Sequence, residues 1–297
     1  MNAVVLQHPQ FASMRPQSRL STEIRNLRAD ALWITLGKDA DTGLQNFTPA
    51  LVQEFRGLLG GLHDRRNASP TPDYLVVQSA DPSYFSMGGD LRFFRECIQR
   101  RDAAALRDYS MRCLELLLAW NGRPDDNATS VALVQGRALG GGFELALGMD
   151  YLIAEEHSSF GFPEIMFGLF PCTGAMGLLA PRIGARRAER MMTDKKIYSA
   201  VELYDMGLVD EICATGEGEL AVERFVANHS SRLKARVKVQ QSRYRNSPLD
   251  RVEGVRIVED WVETAMRLSA EELRAMDMLI LMQAREAATP AGAREAA

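Results

Sequence analysis

Four short, almost wholly apolar runs most tightly limit how this chain can fold: Ala31–Leu36 (ALWITL), Tyr74–Ala80 (YLVVQSA), Ser130–Gly136 (SVALVQG) and Tyr151–Glu156 (YLIAEE). Each is β-rich, too short for a helix, and lacks the polar alternation of a strand with one wet face. Such runs belong to strands buried on both sides. Helical stretches lie between them. One begins at Thr48, an N-cap with Pro49 in the first turn, and runs to Asp64. A longer helical region passes through Leu91–Arg101 and Tyr109–Trp120. Strands alternating with helices call for βαβ units and a mostly parallel sheet, an α/β class. From about residue 174 the pattern turns helical, with two long helices expected at the C-terminus. In the last strong helix Ile257, Trp261, Ala265 and Leu268 share one face, a spacing that favours core packing over the covering of a neighbouring subunit or a substrate. Residues 1–29 read as a polar, irregular arm and 288–297 as a frayed tail, leaving a core over 30–215 and a helical region over 216–287.

Composition removes several classes of function. A net charge of −4 with mixed signs leaves no nucleic-acid footprint. The N-terminus lacks a secretory pattern, and no apolar run nears the roughly 20 residues of a membrane span. A cytoplasmic protein is expected. Cys97, Cys113, Cys172 and Cys213 form no CxxC, and His8, His63, His157 and His229 are scattered; nothing in the spacing supports a metal site, and buried free thiols are the expectation.

Two of the buried strands end in glycine turns that open helices: Ser83–Leu91 (SYFSMGGDL) and Gly136–Gly148 (GRALGGGFELALG). The first amides of a helix have no internal acceptors and favour negative charge, and glycine lets a ligand atom reach them. Neither a P-loop lysine nor a GxGxxG order is present; either turn alone reads first as a tight strand–helix connection, while the two together, each after a buried strand, favour an oxyanion site. Asp90 is expected to cap the helix that starts at Leu91. Two carboxylates stand in unusual company. Glu144 lies in the first turn after the glycines, and Glu164 sits behind Pro163 among Phe160, Phe162, Ile165, Met166 and Phe167. A carboxyl buried without a cation keeps its proton near neutral pH, as proton transfer requires. Facing one site, the two could remove an α-proton and protonate a departing β-hydroxyl.

In order and spacing, FSMGGDL, GRALGGGFELALGMD, FGFPEIMFGLFP and SAVELYDMGLVDEI resemble the crotonase (enoyl-CoA hydratase/isomerase) superfamily over roughly residues 30–215. The resemblance implies a crotonase-like spiral of ββα units, a C-terminal helical trimerisation region, and a homotrimer or hexamer. It implies oxyanion amides at Gly89 and Gly141 and a paired acid site at Glu144 and Glu164. Substrate contacts are expected at Met87, Gly88, Gly140 and Trp261. No cofactor is implied beyond the carrier of the substrate, an acyl carrier protein or CoA. Phe143, the aromatic run after Phe160 and the stretch Val258–Asp277 are similar to the RpfF-type diffusible-signal-factor synthases. These enzymes dehydrate a 3-hydroxyacyl-acyl carrier protein and hydrolyse the thioester, releasing a cis-2-unsaturated fatty acid for quorum sensing. That likeness implies a medium-chain acyl carrier protein thioester as partner and substrate, with a membrane sensor kinase as a further partner. Met87 stands where hydratases carry a small residue beside the backbone that receives the adenine of CoA, which favours a carrier-protein substrate. Cys172-Thr173-Gly174 departs from the glycine-rich segment of those synthases. The alternatives are an enoyl-CoA hydratase of fatty-acid degradation and a non-catalytic acyl-binding regulator.

Overall fold

A computed structural model describes residues 18–64, 72–121 and 128–288. The six-stranded sheet contains β1 (Leu20–Asn26), β2 (Asp30–Leu36), β3 (Tyr74–Ser79), β5 (Thr129–Val134), β7 (Tyr151–Glu155) and β10 (Glu211–Cys213), in the spatial order β1-β2-β3-β5-β7-β10. All neighbours are parallel except the β1–β2 hairpin. A four-stranded sheet holds β4 (Tyr84–Ser86), β6 (Arg137–Leu139), β8 (Ser159–Gly161) and β9 (Tyr198–Ser199), in that order. Three successive strand pairs, β3/β4, β5/β6 and β7/β8, each give their first member to the larger sheet and their second to the smaller. This is the repeating ββα arrangement that the motifs led us to expect.

The apolar runs are explained by cores on both faces of the larger sheet. Leu32, Ile34, Leu75, Val77, Ala132 and Val134 join the main core. Their neighbours Ala31, Trp33, Tyr74, Val76, Val131 and Leu133 join a second core that α8 (Gly218–His229) covers with Ala221, Val222 and Val226. Both faces of the central strands therefore meet apolar partners over most of their length.

Helix α1 (Pro49–Asp64) starts where expected, with the Leu51 amide donating to Thr48 Oγ1 at 3.2 Å. The long helical region is two helices, α2 (Leu91–Arg100) and α3 (Ala103–Trp120), separated at Arg101 by a left-handed residue with φ 55°. Asp102 then caps α3 through the Ala105 amide. Helix α4 (Gly141–Leu147) follows the second glycine turn, and a 3₁₀ turn (Pro163–Phe167) follows β8. Next come α5 (Ala175–Ile183), α6 (Ala185–Thr193) and α7 (Ala200–Asp205), the last opened by a Ser199/Glu202 capping box.

Two expectations need correction. The region read as an irregular arm includes β1, an antiparallel edge strand in which Thr22, Glu23 and Arg25 are half-buried and Ser21 and Asn26 exposed; residues 1–17 lie outside the described residues. Among the described residues four helices, not two, follow β10: α8, α9 (Leu233–Asn246), α10 (Arg251–Met266) and α11 (Ala270–Ala288). The breaks fall at Arg232, which has positive φ, and at Asp250, whose side chain caps α10. Residues 289–297, most of the expected tail, lie outside the described residues. Among the described residues, no helix is long and apolar enough to cross a membrane, and no cluster of His, Cys, Asp and Glu could hold a metal ion.

Candidate active site

The two glycine turns leave neighbouring strands of the smaller sheet and abut. Gly88 has φ 91° and Gly140 φ 51°, values that suit residues without a Cβ. The Gly140 amide is tied to the Gly161 carbonyl at 2.9 Å, and its own carbonyl accepts from Phe143 and Glu144, which winds the chain into α4. On the other turn, Asp90 caps α2 through the Arg92 and Phe93 amides. The Phe47 amide holds the Gly88 carbonyl at 2.9 Å. The Gly89 nitrogen lies 3.9 Å from where a side-chain carbon on Gly141 would stand. Neither the Gly89 nor the Gly141 amide donates to an acceptor among the described residues. Two free N–H groups thus flank one small space.

Gly89, Gly141, Glu144 and Glu164 line the same cavity, which encloses about 580 Å³ of empty space, part of it open to solvent. Its remaining wall is almost entirely apolar. Phe94 of α2 and Tyr109, Cys113, Leu116 and Leu117 of α3 form one side. Phe170, Cys172 and Thr173 come from the loop before α5. Trp261 of α10 seals the far wall, packing edge-to-face on Phe94 with centroids 5.1 Å apart. It serves core and cavity at once.

The acids differ in how they are held. Glu144 is 1% exposed, and its Oε1 accepts the Thr173 and Ala175 amides, each at 3.0 Å. Burial raises its pKa, opposed by hydrogen bonds from the Thr173 side chain and amide and from the Ala175 and Gly174 amides. Glu164 lies on the 3₁₀ turn that Pro163 starts, with its carboxyl packed against Gly140; a side-chain carbon there would overlap it. The residue is part-exposed, yet Oε2 is fully buried and has no hydrogen-bond partner among the described residues. Burial, then the Glu144 charge, push the Glu164 carboxyl up to about 8. Burial thus raises both carboxyls, and only Glu144 has backbone amides to favour its charged form.

Not every expected substrate contact lines this cavity. Met87 does not. Alternation at the end of β4 turns Ser86 toward Gly142 and sends Met87 the other way, where it is buried with Leu44, Tyr84, Leu139 and Ala287. Gly88 and Gly140 also stand outside the lining: one backs the Leu139 carbonyl, the other the Glu164 carboxyl. Conversely, the α3 face was not picked out in the sequence, although Tyr109, Cys113, Leu116 and Leu117 recur at helical spacing. Two of the four thiols prove to be cavity wall. Cys113 is pushed up to about 12 and Cys172 well above the usual thiol range, both chiefly by burial, so they are neutral apolar lining.

Residues 46–246, more than half the chain, match the family model for enoyl-CoA hydratase/isomerase. A 2,3-dehydroadipyl-CoA hydratase of Escherichia coli (strain K12) is 31% identical over 166 residues, 55% of this chain and 62% of that protein. The chain spans less than two thirds of the length of the curated relatives it matches. A solved enoyl-CoA hydratase from Bacillus halodurans superposes with a TM-score of 0.74 at 23% identity, covering 88% of this chain and all of that one. Pseudomonas aeruginosa DspI superposes at 0.65 with 25% identity, covering 90% of this chain and 98% of that one.

Proposed function

Since the chain belongs to the enoyl-CoA hydratase/isomerase family, we propose that it adds and removes water across the C2–C3 bond of an acyl thioester. One observation carries this reading: two carboxyls, each raised by burial, face an apolar cavity with two unpaired backbone amides. The thioester oxygen sits between the Gly89 and Gly141 N–H groups, and the acyl chain lies against the wall formed by α3 and Trp261.

In hydration, Glu144 takes a proton from water as its oxygen bonds to C3. The electron pair moves to the carbonyl oxygen as an enolate, held by the two amides, and Glu164 delivers its proton to C2. Dehydration is the exact reverse: Glu164 takes the C2 proton, and Glu144 protonates the hydroxyl that leaves C3. The proton count is the same in both directions, so the pair serves either. Hydration starts with Glu144 ionised and Glu164 protonated, and dehydration starts with the proton on Glu144.

A narrower reading is that the enzyme dehydrates a medium-chain 3-hydroxyacyl-acyl carrier protein and then hydrolyses the thioester, as diffusible-signal-factor synthases do. In the second step Glu144 takes a water proton, the oxygen bonds to C1, the C1–S bond breaks and the proton passes to the departing sulfur. The specific observation in its favour is Met87. The resemblance assigns the adenine of CoA to the backbone beside this position, and here Met87 is buried beside it with Tyr84, Leu44 and Ala287 at the end of α11. A flexible carrier-protein arm, lacking adenine, has no need of that space.

Both readings are tested by supplying a medium-chain 2-enoyl-CoA and the matching 3-hydroxyacyl-acyl carrier protein, following the enoyl thioester absorbance and the free acid by mass spectrometry. Water addition to either thioester pair supports the general reading. Free 2-enoic acid from the carrier-protein substrate supports the narrower one, and fast hydration of the CoA ester with no acid released removes it. No turnover of either substrate overturns both.

A further inference from the structure

The two amides that flank the cavity are aimed in different ways. A trans peptide unit is planar, with its C=O and N–H pointing in opposite directions, so whatever grips the carbonyl also aims the amide. For the Gly140–Gly141 unit the grip is helix α4 itself: the Gly140 carbonyl accepts the Phe143 amide at 2.9 Å and the Glu144 amide at 3.0 Å. The Gly88–Gly89 unit is gripped from a distant segment. Its Gly88 carbonyl accepts the Phe47 amide at 2.9 Å, and Phe47 pairs with Gly89 as an isolated parallel bridge. Phe47 lies in the connection between β2 and α1, so its own place must be fixed from elsewhere. Its carbonyl accepts the Tyr109 hydroxyl at 2.5 Å.

Tyr109 is held as a strut. It stands on α3, is 3% exposed, and its ring packs on Phe93 and Phe94 with centroids 5.3 Å away in each case. The hydroxyl lies 3.6 Å from where a side-chain carbon on Gly89 would stand. Burial raises the phenol well above its ordinary range, so it remains a donor.

We propose that Tyr109 is a positioning residue for the oxyanion site: its hydroxyl anchors Phe47, and Phe47 holds the Gly88–Gly89 peptide so that the Gly89 N–H faces the thioester oxygen.

The other contacts of this turn do not replace that anchor. The Met87 amide donates to the Gln45 carbonyl at 2.6 Å and the Gly88 amide to Ser86 Oγ at 3.0 Å. Both bonds act on peptide units that precede Gly88–Gly89. Asp90 accepts from Arg92 and Phe93, which follow it. The Tyr109 ring also lines the cavity. Removing its hydroxyl alone therefore loosens the aim of one amide and leaves the wall that meets an acyl chain.

This role rests on reading Gly89 as an oxyanion amide, so one readout is taken without substrate. In protein labelled with [1-13C,15N]glycine, a carbonyl-selected amide NMR spectrum shows only glycines that follow a glycine: Gly61, Gly89, Gly141 and Gly142. Gly61→Ala deletes the first, and Gly141→Pro deletes the last two, so the resonance that survives both is that of Gly89. Tyr109→Phe should move the Gly89 resonance and leave those of Gly141 and Gly142 in place. With a medium-chain 2-enoyl-CoA, the same variant should lower kcat about tenfold with KM within about twofold, because only an interaction of the transition state is weakened. If the phenylalanine variant does not fold, 3-fluorotyrosine at position 109 keeps the hydroxyl and changes its donor strength, and it should move the Gly89 resonance alone. An unmoved Gly89 resonance, equal displacement of all three glycines, or an active variant with unchanged kcat overturns the proposal. A displacement confined to Gly89, in a protein that turns over no acyl thioester, would uphold the anchor while removing the proposed function.

Discussion

Helix α4 carries one buried carboxyl in its first turn and has another just past its C-terminus, and the two are built to opposite purposes. Asp150, just beyond its C-terminus, accepts the Ser130 amide at 2.7 Å and the Ser130 hydroxyl at 2.8 Å, takes the Tyr244 hydroxyl, and has Arg243 3.6 Å away. It stitches β5 to α9 beside a polar depression lined also by Arg182 and Asp210. At the other end, Glu144 spends its hydrogen bonds on one oxygen, and its neighbour Glu164 has a buried oxygen with none. A saturated carboxyl holds structure together. An unsaturated one, buried beside a second acid and two free amides, is a cost to the fold that chemistry can use.

The contrast breaks most sharply under substitution. Glu164→Gln should lower kcat by about a thousandfold or more, with KM within a few-fold and circular dichroism unchanged; an active variant would make Glu164 another structural acid. Next in size is Gly141→Pro, which deletes one amide at the first position of α4, where proline is tolerated. It should cost about a hundredfold or more in kcat while leaving the melting temperature close to wild type. At the other end, Asp150→Ala should reverse the pattern. Loss of a buried, fully bonded carboxyl should destabilise the protein by about 3 kcal/mol in urea unfolding, with kcat within about threefold for the folded fraction.

The pH dependence of stability separates the two ends again. The folded pKa of Glu164, about 8, lies above its ordinary value of 4.5. Below pH 4.5 both folded and unfolded chains hold the proton, and the burial costs nothing extra. As pH rises from 4.5 to 8 the unfolded chain releases a proton that the folded one keeps, so stability falls, and above 8 the penalty is complete. Glu164→Gln should therefore gain about 5 kcal/mol over wild type at pH 9 and little at pH 4. Equal stability of the two proteins at pH 9 would remove the shift. The smallest expected effect is at the cavity wall: Trp261→Ala should move the preferred acyl chain to greater length, by about tenfold in relative kcat/KM, measured across a series of thioesters.

Much of this contrast was legible in the sequence. The doubly buried strands declared themselves through nearly unbroken apolar runs, because a sheet with cores on both faces leaves little room for a polar residue; Thr35 and Gln78 are exceptions that bond each other. Glu144 and Glu164 stood out as lone acids among apolar neighbours beside glycine or proline. β1 did not stand out: an edge strand paired on one side only can be polar, and LSTEIRN carries only a faint alternation at Leu20, Thr22 and Ile24. The direction of Met87 depends on which face of β4 meets α4, a tertiary fact. The cavity wall on α3 was hidden for a similar reason, since an apolar face reads the same whether it meets core or ligand. Thr173 was visible only as a departure from a pattern; its use required seeing the loop folded back, 29 residues along the chain, onto Glu144.

The most direct test of the central claim is hydration of a 2-enoyl thioester in deuterium oxide, with isotope content at C2 of the product read by mass spectrometry and NMR. Wild-type enzyme should place one deuterium at C2 with a single stereochemistry, and Glu164→Gln should form essentially no product. Unlabelled C2, scrambled stereochemistry, or undiminished product from the variant would contradict a proton delivered by Glu164 to an enolate held between Gly89 and Gly141.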